Sequence, residues 1–171
     1  MSCARTSQGF TLPELMIVIS LVAIMAFIAV PNFVQLTRNN QIQAQAEELK
    51  AFLTFARGQA VNERALILLD FEPADPVDPR WEIKRNRDNT VLRQFALASE
   101  PKAVAMTNSN AELKALTYRP NGTASAAARF TICHDQQADT GFLITLQPNG
   151  SIRLHPRGKD DDNTTALATC E

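Results

Sequence analysis

Read for its apolar and polar positions, the chain falls into three stretches. From Leu15 to Val34 almost every side chain is apolar, and no charge lies between Glu14 and Arg38. A run of about 20 such residues is long enough to cross the hydrocarbon core of a bilayer as a helix. From Asn39 to about Asn62 the pattern changes. Ile42, Leu49, Phe52, Leu53, Ala56 and Ala60 recur at three- and four-residue steps, while Gln41, Glu48, Lys50 and Arg57 fall mostly off that face. The spacing predicts an amphipathic continuation of the same helix, apolar all round in its first half and on one face in its second. Beyond Asn62 the signals become those of strands, at Ala65–Phe71, Trp81–Arg85, Val91–Leu97, Leu113–Tyr118, Arg129–Cys133, Gly141–Leu146 and Ser151–Leu154. Turn formers separate them: Pro73-Ala74-Asp75-Pro76, Asn86–Asn89, Pro120-Asn121-Gly122 and Pro148-Asn149-Gly150. The expectation is an α+β fold: a long N-terminal helix packed on an antiparallel head of about seven strands, in two sheets face to face.

Composition changes this picture only where it is uneven. Hydrophobic residues make up 45% and charged residues 20%, ordinary values for a globular chain. The formal net charge of −1 argues against broad non-specific binding to nucleic acid, which needs a basic surface. For the apolar run, a secretory signal peptide and a buried core helix compete with a membrane anchor. A signal peptide has a shorter apolar core and a small-residue cleavage site. A core helix needs apolar surroundings that the rest of the chain does not offer. Glu14, at the edge of the run, suits the positive end of a helix dipole but costs a few kcal/mol in lipid.

Gly9-Phe10-Thr11-Leu12-Pro13-Glu14-Leu15, behind a short leader and ahead of the apolar run, resembles the processing signal of type IV prepilins. The resemblance implies that a prepilin peptidase cuts between Gly9 and Phe10 and methylates the new amino terminus at Phe10. It implies that Glu14 pairs with the terminal amine of a neighbouring subunit; in a low dielectric both charges gain by meeting. The family usually carries an aliphatic residue where this chain has Pro13. Proline there removes nothing the helix uses, because the first four amides of a helix have no internal acceptor. Arg5 is the only basic residue of the leader and favours a cytoplasmic leader. The segments Gln45–Leu49 through Phe55–Arg57, Asn121–Thr123 and Phe130–Cys133 resemble minor pilins of the FimU/FimT type and the GspH secretion pseudopilin. The implied organisation is a leader at 1–9, a transmembrane and assembly helix at 10–34, its amphipathic half at 35–62, and a periplasmic β head at 63–171.

Within the helix, Pro31 removes one hydrogen bond. It marks either a kink like that of similar pilins or a proline that membrane helices tolerate. Of the three cysteines, Cys3 falls in the implied leader, which leaves Cys133 and Cys170 for an oxidising compartment. A disulfide between them would tie down the C-terminal segment, worth about 4 kcal/mol in the chain-entropy model. Metal ligation is the alternative, although two thiols without paired ligands make a poor zinc site. No catalytic set stands out, since Cys133 beside His134 is only sequence adjacency, so a non-enzymatic chain without a cofactor or bound metal is expected. Asp160-Asp161-Asp162-Asn163 reads either as a solvated acidic loop or as a hard-cation ligand set.

Arg153, Arg157 and Lys159 form a small basic group that could contact DNA phosphates. The Gly-Arg-x-Arg motif of DNA-binding FimT-like pilins is not intact here, and three acidic residues follow. The resemblance therefore implies first a structural minor pilin that helps prime a type IV pilus and is incorporated near its tip. A minor H-type pseudopilin of type II secretion, and a DNA-binding pilin for uptake, are the alternatives. The implied partners are other minor and major pilins or pseudopilins and the prepilin peptidase. The implied setting is the inner membrane with a periplasmic head, then the cell-surface filament.

Overall fold

A computed structural model describes residues 11–72, 79–107 and 111–170. Gly9, Phe10 and the turn at Pro73–Pro76 lie outside the described residues. The chain divides into two compact units, Met1–Arg38 and Asn39–Glu171.

The helix α1 runs from Leu12 to Glu63 and passes through Pro31. In the first unit its side chains are exposed, and no residue of its apolar window is buried. In the second unit one face is buried, made of Ile42, Ala46, Leu49, Phe52, Leu53, Ala56 and Ala60. The amphipathic spacing picks out six of these seven; Ala46 joins them because it lies four residues after Ile42 on the same side. The helix stops at Arg64, which takes a left-handed φ of 49°. Ala65 N–H then donates back to Ala60 C=O at 3.3 Å, the closing bond of a Schellman cap with arginine in the place usually held by glycine.

Beyond the cap come β1 (Ile67–Asp70), β2 (Arg80–Arg85), β3 (Val91–Ala96), β4 (Lys102–Thr107), β5 (Ala115–Tyr118), β6 (Ala128–Cys133), β7 (Phe142–Leu146) and β8 (Ile152–Leu154). They form two four-stranded sheets, in the orders β3-β2-β1-β5 and β4-β6-β7-β8, and every pairing is antiparallel. The strand pattern of the sequence foretells seven of the eight; β4 is the addition. Its run Lys102-Ala103-Val104-Ala105-Met106-Thr107 is poor in the β-branched and aromatic residues that signal a strand. Pairing with β6 makes it one, with Ala103 opposite Ile132 and Ala105 opposite Phe130.

The core is a single cluster fed by the helix face and both sheets. At its centre Phe71 stands edge-on to Trp81 at 5.1 Å and meets Phe130 of the second sheet at 5.5 Å. Trp81 stacks on Phe95, and Phe52 of the helix packs on Phe95, both at 5.7 Å. Offset and edge-to-face arrangements of this kind add about 0.5–1.5 kcal/mol per pair beyond the area they bury.

Candidate functional site

Two surfaces carry the residues singled out by sequence, and each belongs to its own unit. In the first unit, Glu14 lies exposed in the first turn of α1, directly before the apolar run. Leu12, Leu15, Met16, Ile17, Ile24, Met25, Phe27, Ile28 and Phe33 are all exposed, Phe27 by 85%. Three polar side chains on this stretch turn back on their own backbone. Ser20 Oγ donates to Met16 C=O at 2.7 Å, Asn32 Nδ2 to Ile28 C=O at 3.0 Å and Thr37 Oγ1 to Phe33 C=O at 2.9 Å. These bonds give the three side chains internal partners, which a helix in lipid would need. Pro31 lacks an N–H, so the turn before it has one acceptor without its usual intrahelical donor.

The second surface is the C-terminal segment of the head. Cys133, the last residue of β6, is bonded to Cys170, with Cα atoms 6.0 Å apart. Between β8 and Cys170 the chain is pinned at several points. Gly158 N–H donates to Gly141 C=O at 2.8 Å, and Leu167 N–H to Gly158 C=O at 3.0 Å. His155 is 2% exposed; Nε2 meets Thr145 Oγ1 at 2.9 Å and Nδ1 meets Asn163 Oδ1 at 2.8 Å.

The acidic loop uses its carboxylates internally. Asp160 pairs with Arg129, and Asp161 reaches the same guanidinium at 3.5 Å. Asp162 accepts from the Thr165 hydroxyl and from the Thr164 and Thr165 amides, which hold its carboxyl well below the usual carboxylate range. For Asp160 partial burial pushes upward, but the Arg129 bond and the Asp161 amide outweigh it, and the net direction is down.

Two of the basic residues after β7 have partners of their own. Arg157 Nη2 donates to Asn39 C=O at 3.1 Å, and its guanidinium lies 5.4 Å from the centre of the Phe142 ring. Lys159 Nζ donates to Thr164 C=O at 3.0 Å. Arg153 stands exposed on β8, opposite Thr145.

Sequence reasoning passed over one constellation in the head. Arg57 Nε of the helix donates to Gly122 C=O at 3.1 Å, although 65 positions separate them. Gly122 and Gly150, both at positive φ, bring the two Pro-Asn-Gly turns into contact under that arginine. Ala124 N–H donates to Pro148 C=O at 2.9 Å beside them. The repeated Pro-Asn-Gly tripeptide was the available signal; that the two copies touch is a tertiary fact.

Comparison with known proteins agrees with this architecture. A family model described as "Type II transport protein GspH" matches residues 45–150, and one described as "Prokaryotic N-terminal methylation motif" matches residues 4–30. The chain is 25% identical over 144 residues to a "Fimbrial protein" of Pseudomonas aeruginosa, covering 84% of this chain and 90% of that one. The crystal structure of the type IV minor pilin FimU from Pseudomonas aeruginosa superposes with a TM-score of 0.60 at 26% identity, over 80% of this chain and 99% of FimU. The minor pseudopilin EpsH of the Vibrio cholerae type 2 secretion system shares the fold, with a TM-score of 0.50 at 15% identity over 66% of this chain and 94% of EpsH.

Proposed function

The chain belongs to the family of the type II transport protein GspH, and from that premise we propose that it is a minor pilin, a structural subunit that helps prime assembly of a type IV pilus and is built in near its tip. The observation that carries the choice of pilus is the likeness to FimU, which covers 99% of the crystallised FimU chain at 26% identity. In this reading the prepilin peptidase removes the leader after Gly9 and methylates Phe10. The helix then waits in the inner membrane with the head in the periplasm. Exposed apolar side chains leave the bilayer only when the helices of other pilins cover them, and Glu14 meets the terminal amine of a neighbour. That carboxylate sits at the edge of an apolar span, where an unpaired charge is costly and a paired one is not.

A second reading, a minor H-type pseudopilin of a type II secretion system, is favoured by the family model and by the shared fold with EpsH. DNA uptake gains no comparable support, since Arg157 and Lys159 already donate to backbone carbonyls of the head.

A deletion strain separates the first two. Loss of surface pili and of twitching is expected; intact pili with exported enzymes held in the periplasm would transfer the protein to secretion. The intact mass of membrane-extracted protein, made with and without active peptidase, tests the processing step. Loss of Met1–Gly9 with gain of one methyl group, only when the peptidase is present, is the expected result. An uncut chain would overturn the pilin reading.

A further inference from the structure

Three asparagines of the head open an Asn-x-Ser/Thr triplet with no proline in the middle: Asn121-Gly122-Thr123, Asn149-Gly150-Ser151 and Asn163-Thr164-Thr165. In an exported chain such a triplet is the acceptor signal for an N-linked saccharide, and it serves from a surface loop. The fold treats the three differently. The first two are the Pro-Asn-Gly turns that meet under Arg57. Their middle residues, Gly122 and Gly150, are buried at positive φ, and a Cβ on Gly150 would strike Gly122 C=O. An enzyme cannot draw out either triplet without parting the two turns. The third lies in residues 161–166, which belong to no strand and are exposed at every position.

We propose that Asn163 is a site of N-linked glycosylation. Its side chain is set for the reaction. Asn163 Oδ1 meets His155 Nδ1 at 2.8 Å, and His155 is 2% exposed, so the carboxamide oxygen is held against the head. Nδ2, the nucleophile, has no hydrogen-bond partner among the described residues. The triplet's hydroxyl, on Thr165, donates to Asp162. Both of those residues are exposed, so the bond trades for water or for an enzyme's groups at small net cost.

The donor is a saccharide joined through its C1 to a polyprenyl diphosphate. A bond forms between Asn163 Nδ2 and C1 as the bond from C1 to the diphosphate oxygen breaks. The lipid diphosphate leaves with the electron pair, and the carboxamide gives one proton to a base; nothing is oxidised or reduced. A saccharide there, bulky and well hydrated, would cover the acidic loop and leave the buried face of α1 untouched. The inference rests on the proposed reading that the head is exported, because the triplet serves as an acceptor in exported chains.

The test is a peptide map of the full chain, extracted from the cells that make it natively. After reduction, cleavage behind Lys159 releases residues 160–171, which contain Asn163 and neither of the other triplets. That peptide is expected to carry added mass in whole hexose or N-acetylhexosamine units, placed on Asn163 by fragmentation. Asn163→Gln and Thr165→Ala should abolish the addition, whereas Thr165→Ser, which keeps the hydroxyl, should retain it. The intact mass of the same sample reports the leader separately. A chain cut after Gly9 whose 160–171 peptide is bare overturns the site and leaves the pilin reading standing. An uncut chain that bears the saccharide keeps the site and removes the filament reading. Saccharide on Thr164, Thr165, Asn121 or Asn149 in place of Asn163 overturns the site as well.

Discussion

At the scale of single residues the head depends on positions where a side chain has no room. A Cβ at Gly150 would lie 1.9 Å from Gly122 C=O and 2.9 Å from Arg57 Nε, on a backbone with φ near 80°. The nearer neighbour is backbone and cannot yield; the other is the Arg57 side chain that clasps the Gly122 turn. Gly150→Ala should therefore destabilise the protein by about 3 kcal/mol or more, from strain and a broken contact together. Gly58, inside the helix, has nothing within 4 Å of the same added atom. Gly58→Ala should raise stability by about 0.5–1 kcal/mol through helix propensity. Urea unfolding of the full chain in micelles checks both, and equal midpoints for Gly150→Ala and the parent would refute the clasp.

Among elements, legibility follows the strength of the local signal. The helix could be read because its apolar period and the lone charge at Glu14 do not depend on any partner. The β7–β8 hairpin could be read because Asn149-Gly150 supplies a backbone that few other pairs adopt. β4 was illegible, since alanines at 103 and 105 become strand residues only against Ile132 and Phe130. The basic residues of β8 and the loop after it read as a cluster because they are close in sequence. In the fold each finds a different surrounding, Arg157 at the helix and Lys159 within its own loop.

That C-terminal loop has its own pH response. Asp160 and Asp162 carry folded pKa values below the ordinary 3.8. Depressed carboxylates contribute stability that is complete above the ordinary value and is lost as pH falls through it toward the folded one. The amide signals of Thr164 and Thr165, followed by NMR, should stay fixed from pH 7 to 5 and move only below about pH 4. Movement between pH 7 and 5 would mean that another group governs the loop.

For the whole molecule, the division at Arg38 and Asn39 separates two kinds of apolar surface on one helix. Leu53 is fully buried in the head, whereas Phe27 is 85% exposed. Leu53→Ala should lower head stability by about 2–5 kcal/mol, the range for deleting a buried aliphatic side chain. Phe27→Ala should leave the head's unfolding midpoint in place and reduce incorporation into filaments, measured by immunoblot of the sheared fraction. A shift of the midpoint by Phe27→Ala would show that the units are not energetically separate.

The clasp under Arg57 also has a consequence in time. Its acceptor lies 65 positions along the chain, and the second turn follows later still, so the helix face cannot close until most of the head has emerged and paired. Loop closure over such distances slows folding, because the entropy of bringing the ends together is spent before the contacts form. A nascent head would thus present Leu49, Phe52 and Leu53 uncovered for the longest interval of its maturation. That interval, rather than the finished fold, is when proteases and holding chaperones have their opportunity.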